Sequence, residues 1–331
     1  MRAVRLHGVG DLRLHDEEPP ATTPGRTLVR VGAVGICGSD LHWFAEGSIG
    51  DARVARPLVL GHEIAGVAVG GPLDGRLVAV DPAVPCGSCS TCSAGLGHLC
   101  PEVVFAGHGT QDGGLQETLS WPTRLLHPLP EPMTAEDGAM LEPLGVALHA
   151  HDLGHVRVGA RVAVLGLGPI GLMLVQLLAA LGAGHVVAVD PLAHRRRAAL
   201  DQGADEALAP DELAGGLGRR VSGADVVFEV AGTDEAVHGA FLAARPGGRA
   251  VLVGIPEGDR TTFQASLARR KGLTILMSRR MAEVYPRAIR LVEQGSVDLR
   301  SVVTERYPLE EAPAAFETAA SRRGLKVVVA P

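Results

Sequence analysis

The stretch Gly166-Leu167-Gly168-Pro169-Ile170-Gly171 limits the possible folds of this chain more than any other. It follows Arg161-Val162-Ala163-Val164-Leu165, which is apolar and β-branched, as a buried strand requires. It opens an apolar run to about Leu181 that predicts a helix. Gly184 to Val189 reads as the next strand, and it ends at Asp190, about 20 residues past the glycines. A strand, a G-x-G-x-x-G turn, a helix, a strand and a terminal acid make a dinucleotide-binding unit. The glycines allow the tight turn and close approach of backbone to ligand, and the helix N-terminus then faces a pyrophosphate. Pro169 fits the first helical turn, where its missing N–H costs little. Strands at 224–230, 249–255 and 274–277, with helices near 192–202 and 234–244, continue the alternation of a doubly wound parallel sheet.

The first part of the chain has a different rhythm. Short alternating strands at 3–6, 28–31, 57–60, 64–69 and 76–80, with turns at Pro19, Pro20, Pro24 and Gly25, predict a barrel-like β domain. Cys86, Cys89, Cys92 and Cys100 then form a separate lobe with the spacing Cys-x2-Cys-x2-Cys-x7-Cys. Four thiolates at such spacing close a tetrahedron around Zn²⁺ and leave no position for substrate, so the lobe reads as a structural zinc site. Towards the end of the chain, a helix at 282–294 and short strands at 301–303 and 326–329 are expected to return to this first domain.

A second set of metal-binding side chains lies between Gly35 and Glu63: Cys37, His42, His62 and Glu63. Leu141-Glu142-Pro143-Leu144 adds Glu142. Thiolate, imidazole and carboxylate are the ligand types that Zn²⁺ takes most readily, and Cys37 and His62 read as ligands of a catalytic zinc. Neighbouring strand residues point to opposite faces, so geometry alone turns Glu63 behind the site, where a carboxylate tunes the ligands. The turn at Gly61 can relax that alternation. Glu142 either binds zinc or holds a zinc-bound water, and which glutamate ligates stays open. Thr134 is expected to cap a helix with Glu136 and Asp137 in its first turn, and Pro143 to interrupt that helix near Glu142. One thiolate and one carboxylate cancel the charge of Zn²⁺; a second carboxylate makes the site anionic. Zinc as a Lewis acid lowers the pKa of a bound alcohol.

The 331 residues suggest two domains. Aromatics are only 3%, so the cores must be mainly Val, Leu, Ala and Ile. A net charge of −6 supplies no basic footprint for nucleic acid. No run approaches the roughly 18 apolar residues of a membrane helix. Met1-Arg2-Ala3-Val4-Arg5 lacks the apolar core of a signal peptide, so a cytoplasmic protein is expected. There, five cysteines suit metal binding better than disulfides.

G-I-C-G-S-D-L-H-W, V-L-G-H-E, L-E-P-L-G-V-A-L-H-A and the terminal G-L-K-V-V-V together resemble the zinc-dependent medium-chain dehydrogenases. The likeness covers essentially the whole chain, and within that superfamily it is to the polyol branch: sorbitol, xylitol and L-idonate dehydrogenases. Glu142 discriminates, because alcohol dehydrogenases place a cysteine there. The resemblance implies a GroES-like β-barrel catalytic domain at 1–149 and 280–331, with the zinc lobe at 86–100. A Rossmann NAD-binding domain at 150–279 interrupts it. It also implies two Zn²⁺ per chain, NAD, a polyol or sugar-acid substrate oxidised at a secondary hydroxyl, and a homo-oligomer, dimer or tetramer. A diol, aldose, threonine or simple alcohol is the alternative substrate. A non-catalytic dinucleotide-binding protein is the alternative of another class, and it should have lost ligands that are present here.

Ser39 and His42 look like that family's proton relay, with a helix cap as the structural alternative for Ser39. Trp43, Phe44 and Phe105 are candidate pocket walls. Gly166, Gly168, Pro169, Ile170 and Gly171 are the coenzyme turn, joined by Val253 and Ile255. Asp190 should bind the adenosine ribose and favour NAD over NADP, and Arg195 can stack on adenine. Ser278-Arg279-Arg280-Met281 stands where the polyol branch has an aromatic-Arg-aromatic segment. Arg280 matches the substrate-facing arginine, and its aromatic neighbours are replaced.

Overall fold

Strands pair antiparallel in the first part of the chain and parallel in the middle; at the end, Val303–Pro308 runs parallel to Lys326–Ala330, which runs antiparallel to Arg26–Gly35. The computed structural model describes residues 1–50, 52–214 and 223–331. The elements that bear on function are, in chain order, β1 (Arg26–Gly35), α1 (Gly38–Glu46), β2 (Glu63–Val69), β3 (Leu77–Val80), α2 (Ala135–Ala139), α3 (Leu141–Gly154), β4 (Arg161–Leu165), α4 (Pro169–Ala180), β5 (His185–Val189), β6 (Glu206–Leu208), β7 (Ala224–Glu229), β8 (Ala244–Leu252), β9 (Thr274–Met277) and β10 (Lys326–Ala330). Two compact units result: Met1–Glu142 with Tyr285–Glu293 and Leu299–Pro331, and Pro143–Val284 with Gln294–Asp298.

In the first unit β1 is the spine of a seven-stranded sheet. It pairs antiparallel with β2, with Gly35 opposite Glu63 and Ala33 opposite Ala65. On its other side it pairs with β10, Val328 opposite Gly35. Alternating buried residues of these strands, with Trp121 and Phe316, form the core. Burial of such side chains contributes roughly 1.5–3 kcal/mol each. The chain's last strand thus lies beside the backbone that leads into Cys37: Ile36 N–H donates to Val327 O at 3.0 Å. The Ser301–Val303 strand read from the sequence is instead a 3-10 turn, Arg300–Val302, and the strand that follows is Val303–Pro308. Val302 is buried, and burial alone does not separate a turn from a strand.

In the second unit β6-β5-β4-β7-β8-β9 form a six-stranded sheet, parallel throughout. Strand order reverses between β4 and β7, the switch point of a doubly wound fold. Thr134 caps α2 as expected, accepting Asp137 N–H at 3.2 Å while Asp137 Oδ2 accepts Thr134 N–H at 2.8 Å. Pro143 does not break the helix at Glu142. The interruption lies at Met140, between α2 and α3, and Pro143 sits in the first turn of α3. An N–H is not needed there, so proline is tolerated.

Candidate active site and metal centres

Cys37 is the N-cap of α1, extended at φ −95°, and its N–H donates to Asp40 Oδ2 at 2.9 Å. Capping thus falls to Asp40. Ser39 is inside the helix, half-buried, and does not cap it. Asp40 is 1% exposed and does more than cap. Its Oδ1 accepts Gly61 N–H at 3.2 Å and lies 3.5 Å from His62 Nδ1. Burial alone would raise the Asp40 pKa, but His62, the Cys37 N–H and Lys326 hold it below its usual value. A carboxylate on Nδ1 leaves Nε2 to face a metal.

Gly61, at φ +91°, decides how His62 and Glu63 are presented. A side chain there would meet Val34 Cγ1 at 2.6 Å. β2 begins only at Glu63, so strand alternation does not separate it from His62. One ligand atom from each of Cys37, His62 and Glu63 lies within 4.8 Å of the other two. The geometric expectation that turned Glu63 away therefore fails. Its carboxylate occupies the space a side chain at Gly35 would need: a Cβ there would stand 1.9 Å from Glu63 Oε2.

Lys326 joins the site although no spacing or ligand pattern in the sequence nominates it. It is 3% exposed, its Nζ lies 2.6 Å and 2.5 Å from the two oxygens of Glu63, and it donates to Ile36 O at 2.8 Å. Burial lowers its pKa, but Glu63 and Cys37 outweigh that and hold it above the ordinary lysine value. The available signal was a lone lysine at the head of an apolar strand, where a charge needs a partner. Lys326 also changes the charge count, since it offsets one of the three buried carboxylates, Asp40, Glu63 and Glu142.

Glu142 is 4% exposed and is not one of the three converging ligands. Burial, with Glu63 and Asp81 nearby, raises its pKa to about 7 against the pull of His62 and Lys326. Phe105 packs on the His62 ring, centroids 5.3 Å apart. Trp43 is 2% exposed in the core cluster, edge-on to His108 at 5.1 Å. Phe44 packs on Phe316. His42 Nδ1 is 2.5 Å from Glu46 Oε1 on α1.

Cys86, Cys89, Cys92 and Cys100 converge as a second cluster. Cys86 Sγ–Cys92 Sγ and Cys89 Sγ–Cys100 Sγ are both 3.9 Å. The edge of a tetrahedron with Zn–S near 2.3 Å is about 3.8 Å, so the four sulfurs fit zinc. Backbone N–H groups of Cys86, Cys89 and Cys92 point at sulfurs at 3.4 Å. N–H groups of Ser88 and Cys89 lead the causes that bring the Cys86 thiol down to about 6. All five cysteines are free of disulfides.

In the second unit the three glycines take three roles. Gly166, at φ +97°, makes the turn. A Cβ on Gly171 would lie 2.0 Å from Gly166 O, so helix and turn pack closely. A Cβ on Gly168 would meet only Arg195 Nη1, at 3.9 Å, so its backbone is approachable. These are the features a pyrophosphate needs, and the turn fits a dinucleotide. Pro169 starts α4, Ile170 follows it, and both are half-buried. Asp190 is 3% exposed, and its oxygens accept Leu167 N–H and Leu192 N–H, each at 2.8 Å. Val253 and Ile255 lie just past the end of β8, which stops at Leu252. Arg280 is half-buried in left-handed backbone, φ +57°.

Residues 23–131 match the alcohol dehydrogenase GroES-like domain, and residues 169–294 match the zinc-binding dehydrogenase family. Sorbitol dehydrogenase of Macaca fascicularis is 37% identical, covering 98% of this chain and 94% of that protein. Sorbitol dehydrogenase of Bacillus subtilis is 33% identical, covering 100% and 97%. This chain belongs to the zinc-binding dehydrogenases. Within that family it falls in the polyol dehydrogenase branch of the medium-chain type. The crystal structure of L-idonate 5-dehydrogenase from Escherichia coli superposes with a TM-score of 0.92 at 27% identity, covering 100% of this chain and 98% of that one. A GroES-like domain with an inserted Rossmann domain, zinc and a nicotinamide coenzyme are thus the shared plan of this dehydrogenase and its relatives.

Proposed function

We propose that this dehydrogenase oxidises a secondary hydroxyl of a polyol or sugar acid with NAD⁺. The observation that carries the reading is the carboxylate-rich cluster of Cys37, His62 and Glu63, with Glu142 buried beside it, in a chain 33% identical to a sorbitol dehydrogenase over its full length. Zinc bound at this cluster would supply Lewis acidity to the reacting hydroxyl, and a bound nicotinamide would supply the hydride acceptor. Cys37, His62 and Glu63 would hold the metal. Asp40 orients His62, and Lys326 neutralises and pins Glu63. Glu142 would bind the metal or hold its water, and Ser39 and His42 would carry the proton outward by way of the coenzyme ribose. Cys86, Cys89, Cys92 and Cys100 hold a second, structural zinc. Phe105 and Arg280 are assigned to the substrate, whereas Trp43, expected as a pocket wall, is buried in the core. Asp190 supports NAD over NADP, since a carboxylate repels a 2′-phosphate, and Arg195 beside Gly168 serves the coenzyme. The enzyme is read as a cytoplasmic homo-oligomer.

A panel of sorbitol, xylitol, L-idonate, ethanol and 2-butanol with NAD⁺ or NADP⁺, followed at the nicotinamide absorbance, tests this. A site built to pair several hydroxyls rejects substrates that lack them, at about 1–3 kcal/mol per unpaired group. The polyols or the sugar acid should lead the simple alcohols by at least about tenfold in kcat/KM. A lead for ethanol or 2-butanol would remove the polyol reading and leave only the dehydrogenase class.

A further inference from the structure

Strand order reverses between β4 and β7, and ligands of such sheets bind outside the carboxyl ends of the strands at that reversal. Three turns meet there: Gly166 after β4, 230–232 after β7 and 253–255 after β8. They pack main chain against main chain. A Cβ on Gly166 would lie 2.7 Å from Ala231 N, one on Gly232 would lie 2.3 Å from Ile255 O, and one on Gly254 would lie 2.1 Å from Gly232 N. Packing of this kind turns N–H groups inward, and each needs an acceptor.

Glu229 is that acceptor. It is the last residue of β7 and 1% exposed. Its Oε1 accepts Ala231 N–H and Gly232 N–H, both at 2.7 Å. N–H groups of Gly254 and Thr233 also act on its carboxyl. Its main-chain oxygen accepts Val253 N–H at 2.8 Å and Gly254 N–H at 3.2 Å. One buried residue therefore ties the turn after β7 to the turn after β8.

Asp190, at the end of β5, is on the adenosine side of the reversal. A dinucleotide that crosses the reversal lays its other half over the β7–β8 side. We propose that Glu229 is a positioning residue, whose carboxylate sets the backbone of 230–232 and 253–255 as the platform for the nicotinamide half of the coenzyme. The inference rests on the reading of this chain as a nicotinamide-dependent dehydrogenase.

Glu229→Gln tests it, because the amide places an NH₂ group where backbone N–H groups need an acceptor. Calorimetric titration of zinc-loaded wild type and variant compares NADH with ADP-ribose, which lacks the nicotinamide. The dissociation constant for NADH should rise by about tenfold, while that for ADP-ribose stays within about twofold. Equal weakening of both ligands would mean general loosening of the domain and would overturn the proposal, as would no change in either. If the variant does not fold, Gly254→Ala displaces the same platform while leaving the carboxylate in place. The same split is then expected, and equal loss or no change overturns the proposal. Wild type that binds ADP-ribose but gains nothing from the nicotinamide would overturn the dehydrogenase reading, and this proposal with it.

Discussion

Lys326 and Glu63 lie 263 positions apart and meet in a site that excludes water. No local pattern announces such a pair. Periodicity places Lys326 in an apolar strand and Glu63 at the head of another, but says nothing of their meeting. Cys37, His62 and the four lobe cysteines are different: spacing and ligand type were enough to nominate them. Breaking a buried pair on one side leaves an uncompensated charge, at a cost of about 3–5 kcal/mol. Lys326→Met should therefore lower the urea midpoint markedly. The double variant Lys326→Met with Glu63→Gln should recover much of that stability, because no buried charge is then stranded. Zinc content, measured alongside, should stay low in the double variant, which lacks a ligand. Unfolding curves in which the two changes simply add would show that the pair is not coupled.

Element boundaries were legible where a cap or a turn residue carries them, as at Thr134 and at the glycines of 166–171. They were misread where tertiary contacts decide. Pro143 reads as a break, yet it sits in the first turn of a helix. At 301–303 a buried turn looked like a strand. The strand Leu126–Pro128 shows another consequence that depends on packing. His127 stacks flat on Tyr285, ring centroids 4.5 Å apart and planes 4° apart, and burial lowers its pKa to about 4. Its folded value lies below the ordinary 6.5, so the fold favours the neutral ring. The stabilisation is complete above pH 6.5 and is lost as pH falls through about 4. One such group changes stability by at most about 1.4 kcal/mol per pH unit. Urea midpoints over that window should fall less steeply with acidification for His127→Phe than for wild type. Matching slopes would show that His127 is not a source of acid sensitivity.

At the scale of the molecule, the alternation of strands and helices from β4 to β9 was readable because each βα unit repeats the same burial pattern. The return of the chain's end to the first sheet was readable as a strand, but its partner was not. β10 pairs with β1, and nothing in either stretch specifies that neighbour. The opposite problem arises at β9, where pairing stops. β9 pairs with β8 on one side and is the last strand of its sheet. An edge strand presents unpaired N–H and C=O groups, and proteins usually guard it with charge, proline or a bulge. Thr274-Ile275-Leu276-Met277 carries none of these, and Met277 is 67% exposed, Ile275 36%. Two copies related by a two-fold axis can pair such edges antiparallel, which doubles the sheet and covers both methionines. The homo-oligomer proposed above should therefore be held in part through β9. Ile275→Lys with Met277→Lys places like charges across the two-fold axis. Light scattering after gel filtration should then find this variant with half the wild-type mass, or a dissociation constant raised by about tenfold or more. Thermal unfolding at matched concentration should show the variant still folded, because neither side chain lies in its unit's core. An unchanged mass in the folded variant would place the interface elsewhere, and a wild type of single-chain mass would remove the oligomer altogether.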